Sequence, residues 1–314
     1  MFRPRGNTEG GWPAGLPLCA LVLLSVVATT RGQEVTCLTT ETEINFEDAT
    51  LVYNNLGGFG PNSGDPEQIR YGGIGTKNGE RIDLVVTASA GYAAANANNN
   101  GLNGKFGQIN TLVGTESVFT FTFVNFDAGD AVTTIGDFYF SAFDLDKSKK
   151  TTEFWCFDDE DGATLEYEDS DAMVVINQGV ACDGGAGAST LFTANAMGFG
   201  CDNPDDPSNL RVIECPDDAC SNYCDDSRGR YDDYFPIDQK QRSVTVAYQG
   251  DRESFHFTAT VVGSGSGGRN LVFAGTSTLV EAGAAIRRHF NSTVPRSDCR
   301  KKERKKRSWD LTER

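Results

Sequence analysis

Asp144 and Asp146 stand two apart in Phe143-Asp144-Leu145-Asp146, at the end of a run that alternates like a β-strand. If the strand continues, both carboxylates project from one face. Asp158, Asp159, Glu160 and Asp161 follow shortly after, and then Asp169 and Asp171. Carboxylates gathered in loops repel one another unless a cation neutralises them. Ca2+ suits such a place, being a hard ion that takes about 6–8 oxygen ligands, including main-chain carbonyls of glycine-rich loops. The expected ligands are Asp144, Asp146, Asp158, Asp159 and Asp161. The plainer reading is a solvated acidic surface. An EF-hand fails, because Asp159, Asp161, Gly162 and Glu168 would fill loop positions 3, 5, 6 and 12 while Phe157 would fall at position 1.

A second group carries softer chemistry. Asn54, Asn55, Asn98, Asn99 and Asn100 lie with Tyr53, Phe59, Tyr71, Tyr92 and Phe106 in or beside two segments rich in glycine and asparagine. Amides exchange hydrogen bonds with sugar hydroxyls, and aromatic rings stack on sugar C–H faces. Asn54, Asn55, Tyr92, Asn98 and Asn99 are therefore candidate glycan contacts. In the competing reading the rings cap a core and the amides shape turns.

Nucleophilic catalysis finds little support. A Ser-His-Asp arrangement needs a positioned base, and the chain holds only His256 and His289. No serine sits in G-x-S-x-G. Gly263, Gly265 and Gly268 fit G-x-G-x-x-G in letters, but they join two strand-like runs and no helix follows to hold a pyrophosphate. A glycosidase using paired carboxylates needs no histidine and stays open as an alternative.

The elements that must position these groups read as β-strands. In Ser117 to Phe126, Phe119, Phe121 and Phe123 share one face, and Thr120 and Thr122 the other. Residues 254–262 set Phe255, Phe257, Ala259 and Val261 against His256, Thr258 and Thr260. Further strands are expected at 35–40, 81–87, 132–146, 152–157, 172–177, 244–248 and 270–275. Short runs of Phe, Val and Thr between Gly, Asn and Asp clusters predict an all-β fold, an antiparallel β-sandwich of jelly-roll or lectin-like type. Residues 54–64 and 91–107 read as irregular. A short helix is expected near Leu279 to Phe290.

Residues 178–236 hold five cysteines and many Asp and Pro residues, and read as long disulfide-stapled loops inserted into one sandwich domain over 33–290. Before it, Arg3, Arg5, the apolar run Leu16 to Val27 and the small residues up to Gly32 read as a secretory signal over 1–32, too short to span a bilayer. Removing it leaves Cys37, Cys156, Cys182, Cys201, Cys215, Cys220, Cys224 and Cys299. An even set in an exported chain reads as four disulfides. A zinc site is the alternative, with few histidines to serve it. Residues 291–314 read as a basic disordered tail. The tail region offers a glycosylation acceptor at Asn291 in Asn-Ser-Thr, and Arg304 to Arg307 resembles a site for furin-like convertases.

The formal charge is −16, with 44 carboxylates against 28 Lys and Arg. Such a field repels nucleic acid and anionic lipid over most of the surface. The stretch 117–146, with alternating Phe and Thr, then Gly136-Asp137-Phe138-Tyr139-Phe140 and Phe143-Asp144-Leu145-Asp146, resembles a segment of extracellular β-sandwich adhesion and lectin-like modules of bacterial surface proteins and algal secreted proteins. That resemblance covers about a tenth of the chain. It implies an adhesive or glycan-binding sandwich with Ca2+ near Asp144 and Asp146. The expected function is a secreted, non-catalytic binding or cell-surface matrix module. Its partners would be an extracellular glycan or surface protein, with no nucleic acid and no transmembrane span. The alternatives are a secreted glycan-active hydrolase and an acidic structural protein that binds divalent cations diffusely.

Overall fold

The period-two runs pair into antiparallel sheets in a computed structural model that describes residues 43–158, 163–167, 173–182, 189–215, 219–224 and 236–275. All of these lie in the compact unit Cys37–Arg314. In chain order the strands begin with β1 (Thr50–Asn54), β2 (Ile69–Lys77), β3 (Glu80–Ala88), β4 (Gly101–Asn103), β5 (Phe106–Leu112) and β6 (Glu116–Asn125). There follow β7 (Ala131–Val132), β8 (Phe138–Phe143), β9 (Thr151–Asp158), β10 (Ala163–Tyr167), β11 (Val174–Val180) and β12 (Ser189–Ala194). The last are β13 (Val212–Ile213), β14 (Ile237–Asp238), β15 (Val244–Tyr248), β16 (Ser254–Gly263) and β17 (Gly268–Ala274).

The larger sheet runs β1-β2-β3-β6-β16-β9-β12-β11, with β7 on β6, and the smaller β10-β15-β8-β17-β5-β4. The two share one core, which makes the fold the antiparallel sandwich that the alternation predicts. Phe119 and Phe121 of β6 lie opposite Phe257 and Phe255 of β16. From the other sheet Phe140 of β8 and Phe273 of β17 close over them, with ring centroids about the usual 5–6 Å apart. Trp155 of β9 stacks on Phe257 at 4.8 Å.

Some stretches differ from the sequence reading. The run 132–146 is two strands, and the chain leaves β8 after Phe143. β2 and β5 form where no alternation announces them, because Gly72 and Gly73, and then Gly107, occupy positions where a side chain would have marked the period. At Gly107 a Cβ would collide with the Phe273 ring. The stretch 178–236 supplies β12, an interior strand between β9 and β11. It also forms a small core of its own around Ile213, Cys220 and Ile237.

Disulfides join Cys156–Cys182, Cys201–Cys220 and Cys215–Cys224, with Cα–Cα separations of 5.8, 5.3 and 5.6 Å. Cys37, Cys299, the expected strand at 35–40, the expected C-terminal helix, Asn291, Arg304 and Arg307 lie outside the described residues. Among the described residues no helix is long and apolar enough to cross a membrane.

Candidate metal centre

Asp144 follows the last residue of β8 with φ 58°, in the left-handed region that aspartate tolerates better than most side chains. This one residue re-aims the chain. Leu145 then plugs into the core and donates its N–H to the Arg242 carbonyl at 2.9 Å. Asp144 and Asp146 therefore converge through a kink, not through the straight strand the sequence predicts. Asp202 joins them from the cysteine-rich stretch, and one carboxylate oxygen from each of the three lies within 4.8 Å of the others. Asp146 and Asp202 are buried, and Asp144 is half-buried.

Both sheets contribute further charges. Glu153 on β9 is in phase with Trp155 and Phe157, so it points inward and is buried with them. Arg269 on β17 is in phase with Leu271 and Phe273. Its guanidinium donates to Asp146 at 2.8 Å and to Thr151 Oγ1 at 2.9 Å, and lies 3.4 Å from Glu153. Arg242 ends the 3-10 turn Gln239–Arg242 and pairs with Asp202, both fully enclosed. Asp202 also accepts the Phe199 N–H at 3.1 Å, and its carbonyl accepts the Gln239 side-chain amide at 3.0 Å. Main chain closes the remaining side: a Cβ on Gly198 would collide with the Asp146 carboxylate.

Four carboxylates thus meet two guanidinium groups, an excess of two negative charges at the end of the core. Burial pushes the Asp144 carboxyl well above the usual range, and the charges of Asp146 and Asp202 push it further. Burial likewise raises Glu153, with Asp146 adding to it. Asp146 is raised by burial to about 6, with Arg269 holding it from going higher. Such a group of oxygens is discharged by protons or by a hard cation.

The other candidates fall elsewhere. Asp158 does not join the centre: on β9 its parity is opposite to Glu153, so it projects from the outer face, 3.8 Å from His256 Nε2. Asp159 and Asp161 lie outside the described residues. Asn54, Asn55 and Tyr92 are buried, and each donates a hydrogen bond inside the protein, although the Asn54 Oδ1 has no partner among the described residues. Asn54 donates to the Ala97 carbonyl at 2.9 Å, Asn55 to the Asp65 carbonyl at 2.7 Å, and the Tyr92 hydroxyl to the Asn110 carbonyl at 2.8 Å. Asn98 and Asn99 are exposed on the 3-10 turn Ala97–Asn99.

Sequence reasoning missed Glu153, Asp202, Arg242 and Arg269. Two of them carried a readable signal, since a charge in phase with Trp155 and Phe157, or with Leu271 and Phe273, has to point inward. Asp202 carried none, because nothing periodic surrounds it.

No family model and no curated protein matches the chain. Among solved structures it is similar to the N-terminal domain of the Streptococcus gordonii adhesin Sgo0707, with 9% identity and a TM-score of 0.34. The similarity covers 74% of this chain and 48% of that one, so the chain spans about half the length of the structure it matches.

Proposed function

We propose that this chain is a secreted, non-catalytic binding or cell-surface adhesion module whose sandwich is closed at one end by Ca2+. The observation that carries this reading is the buried excess of carboxylate over guanidinium at the point where both sheets meet the cysteine-rich stretch. An ion held by Asp144, Asp146 and Asp202 would discharge that excess and fix the disulfide-bonded stretch to the strands. Glu153 and Asp146 are too enclosed for a sugar to pass between them, which favours an ion over a glycosidic bond as the occupant. Rigid attachment matters for a binding module, because loops held in one arrangement lose less freedom on meeting a partner. The paired cysteines fit export to an oxidising compartment.

Terbium, a luminescent stand-in for Ca2+, tests the reading. Trp155 lies two residues along β9 from Glu153, about 7 Å by strand geometry, and would sensitise terbium bound at the centre. The expected result is saturable emission that Ca2+ displaces and that Trp155→Phe and Asp146→Asn each abolish. Emission that ignores both substitutions would place the ion elsewhere.

A further inference from the structure

We infer that Phe59 is the stacking platform of a site for neutral pyranosides, an inference that rests on the surface-binding reading above and gives it a ligand class. The loop from Asn54 to Asp65 is built before any ligand arrives. The Asn62 N–H donates to the Asn54 carbonyl at 2.9 Å, and the Asn54 N–H to the Asn62 side chain at 2.8 Å. Asn55 accepts the Gly60 N–H at 2.9 Å while donating to the Asp65 carbonyl. Gly57, Gly58 and Gly60 take φ values of 60, 78 and 78°, which side-chain-bearing residues rarely adopt. The buried Asn54 amide also reaches the carbonyls of Ala97 and Asn100, tying the loop to the turn that carries Asn98 and Asn99.

What this scaffold presents is a phenyl ring. Phe59 is 49% exposed, whereas Tyr92, against which it stands edge-on at 5.7 Å, is 5% exposed. The ring is thus held against Tyr92 while about half of the residue stays open to water. An apolar ring held half out of a clamped loop gains from a ligand that covers it, with little left to order on binding. The C–H face of a pyranose is such a cover, because its hydroxyl rim stays free for polar groups around the ring. One such group is at hand, since the Glu67 carboxylate lies beside Gly58, and Asn98 and Asn99 are exposed on the turn that Asn54 ties to the loop. Asp65 at the end of the loop and Glu67 beside Gly58 are both exposed, so sulfated or sialylated sugars meet like charge on this loop while neutral hydroxyls find acceptors. The expected Asn54, Asn55 and Tyr92 contacts become positioning groups behind the ring that touches the sugar.

Saturation-transfer NMR on the mature chain tests this, with methyl β-D-galactopyranoside, methyl β-D-glucopyranoside and their 6-sulfates as probes. Wild type and Phe59→Trp should transfer saturation to ring-face C–H protons of the neutral sugars. Phe59→Ala should bind about tenfold more weakly or not at all, while still unfolding in one cooperative thermal transition, because the ring is half exposed. The sulfated sugars should bind more weakly than the neutral ones. No transfer to any neutral sugar, equal transfer in Phe59→Ala, or preference for the sulfates would each overturn the proposal. The terbium assay keeps the two readings apart. Terbium binding without sugar transfer sinks only the platform, and sugar transfer without terbium binding sinks only the cation.

Discussion

Asp202 and Arg242 show how far a single charge can matter here. Solvent reaches neither side chain, and each is the other's main counter-charge. Removing one partner strands the other in the interior, which typically costs about 3–5 kcal/mol. Asp202→Ala is therefore expected to lower the urea midpoint by an amount equivalent to about 3 kcal/mol or more, and Asp202→Asn by less, since the amide still accepts a hydrogen bond. The carboxylates around the pair give a pH signature. Asp144, Asp146 and Glu153 hold protons more tightly in the fold than in an unfolded chain. Above the unfolded values, the unfolded state binds fewer protons than the cation-free fold, so stability falls as pH rises. Asp130 and Asp206, held below the usual range by Arg70 and Lys105, act in the opposite sense only at lower pH. The chelated protein should thus lose melting temperature as pH rises through about 6, the value for Asp146. Saturating Ca2+ should flatten the profile, whereas identical profiles with and without Ca2+ would speak against ion binding at these groups.

Elements decide which of these residues a reader of the sequence could find. Period two in β6 and β16 exposes the Phe ladder at once, because alternate residues of a strand must share a face. The same rule applied one step further turns Glu153 and Arg269 toward the interior, since they continue the inward phase of β9 and β17. It also removes Asp158, which lies one residue out of phase. Asp144 was legible as a candidate, but the left-handed turn that brings it to Asp146 was not. Asp202 was not legible at all, because a disulfide at Cys201 and a turn of irregular chain bring it in, and neither leaves a periodic trace. The segment from Ala196 to Asp202 is accordingly where the centre is most easily disturbed. Gly198 lies alongside Lys147, donating to its carbonyl at 3.0 Å, and leaves no room for a side chain above Asp146. Gly198→Ala is expected to weaken Ca2+ binding by tenfold or more while leaving the far-UV spectrum of the sheets unchanged. Unaltered affinity would mean that the segment does not shape the centre.

On the scale of the whole molecule, the sheet edges are built against joining other edges. Among the described residues, β1, β11, β10 and β4 end the two main sheets, and three of these carry a register shift, at Leu51/Tyr53 in β1, Leu165/Tyr167 in β10 and Gln178/Val180 in β11. The fourth, β4, has three residues. Bulged and short edges offer a poor template for pairing with another chain, and a formal charge of −16 adds repulsion between copies. Sedimentation should accordingly find one monomeric species across the accessible concentration range, and a concentration-dependent dimer would contradict it. A sandwich with blunt edges leaves its loops and its ends to meet partners, and one of those ends holds the carboxylate centre. Calorimetric titration of Ca2+ into the chelator-stripped protein tests that centre most directly. The account predicts one saturable site in the wild type and none in Asp144→Asn/Asp146→Asn. Weak heat that never saturates, equal in both proteins, would contradict it.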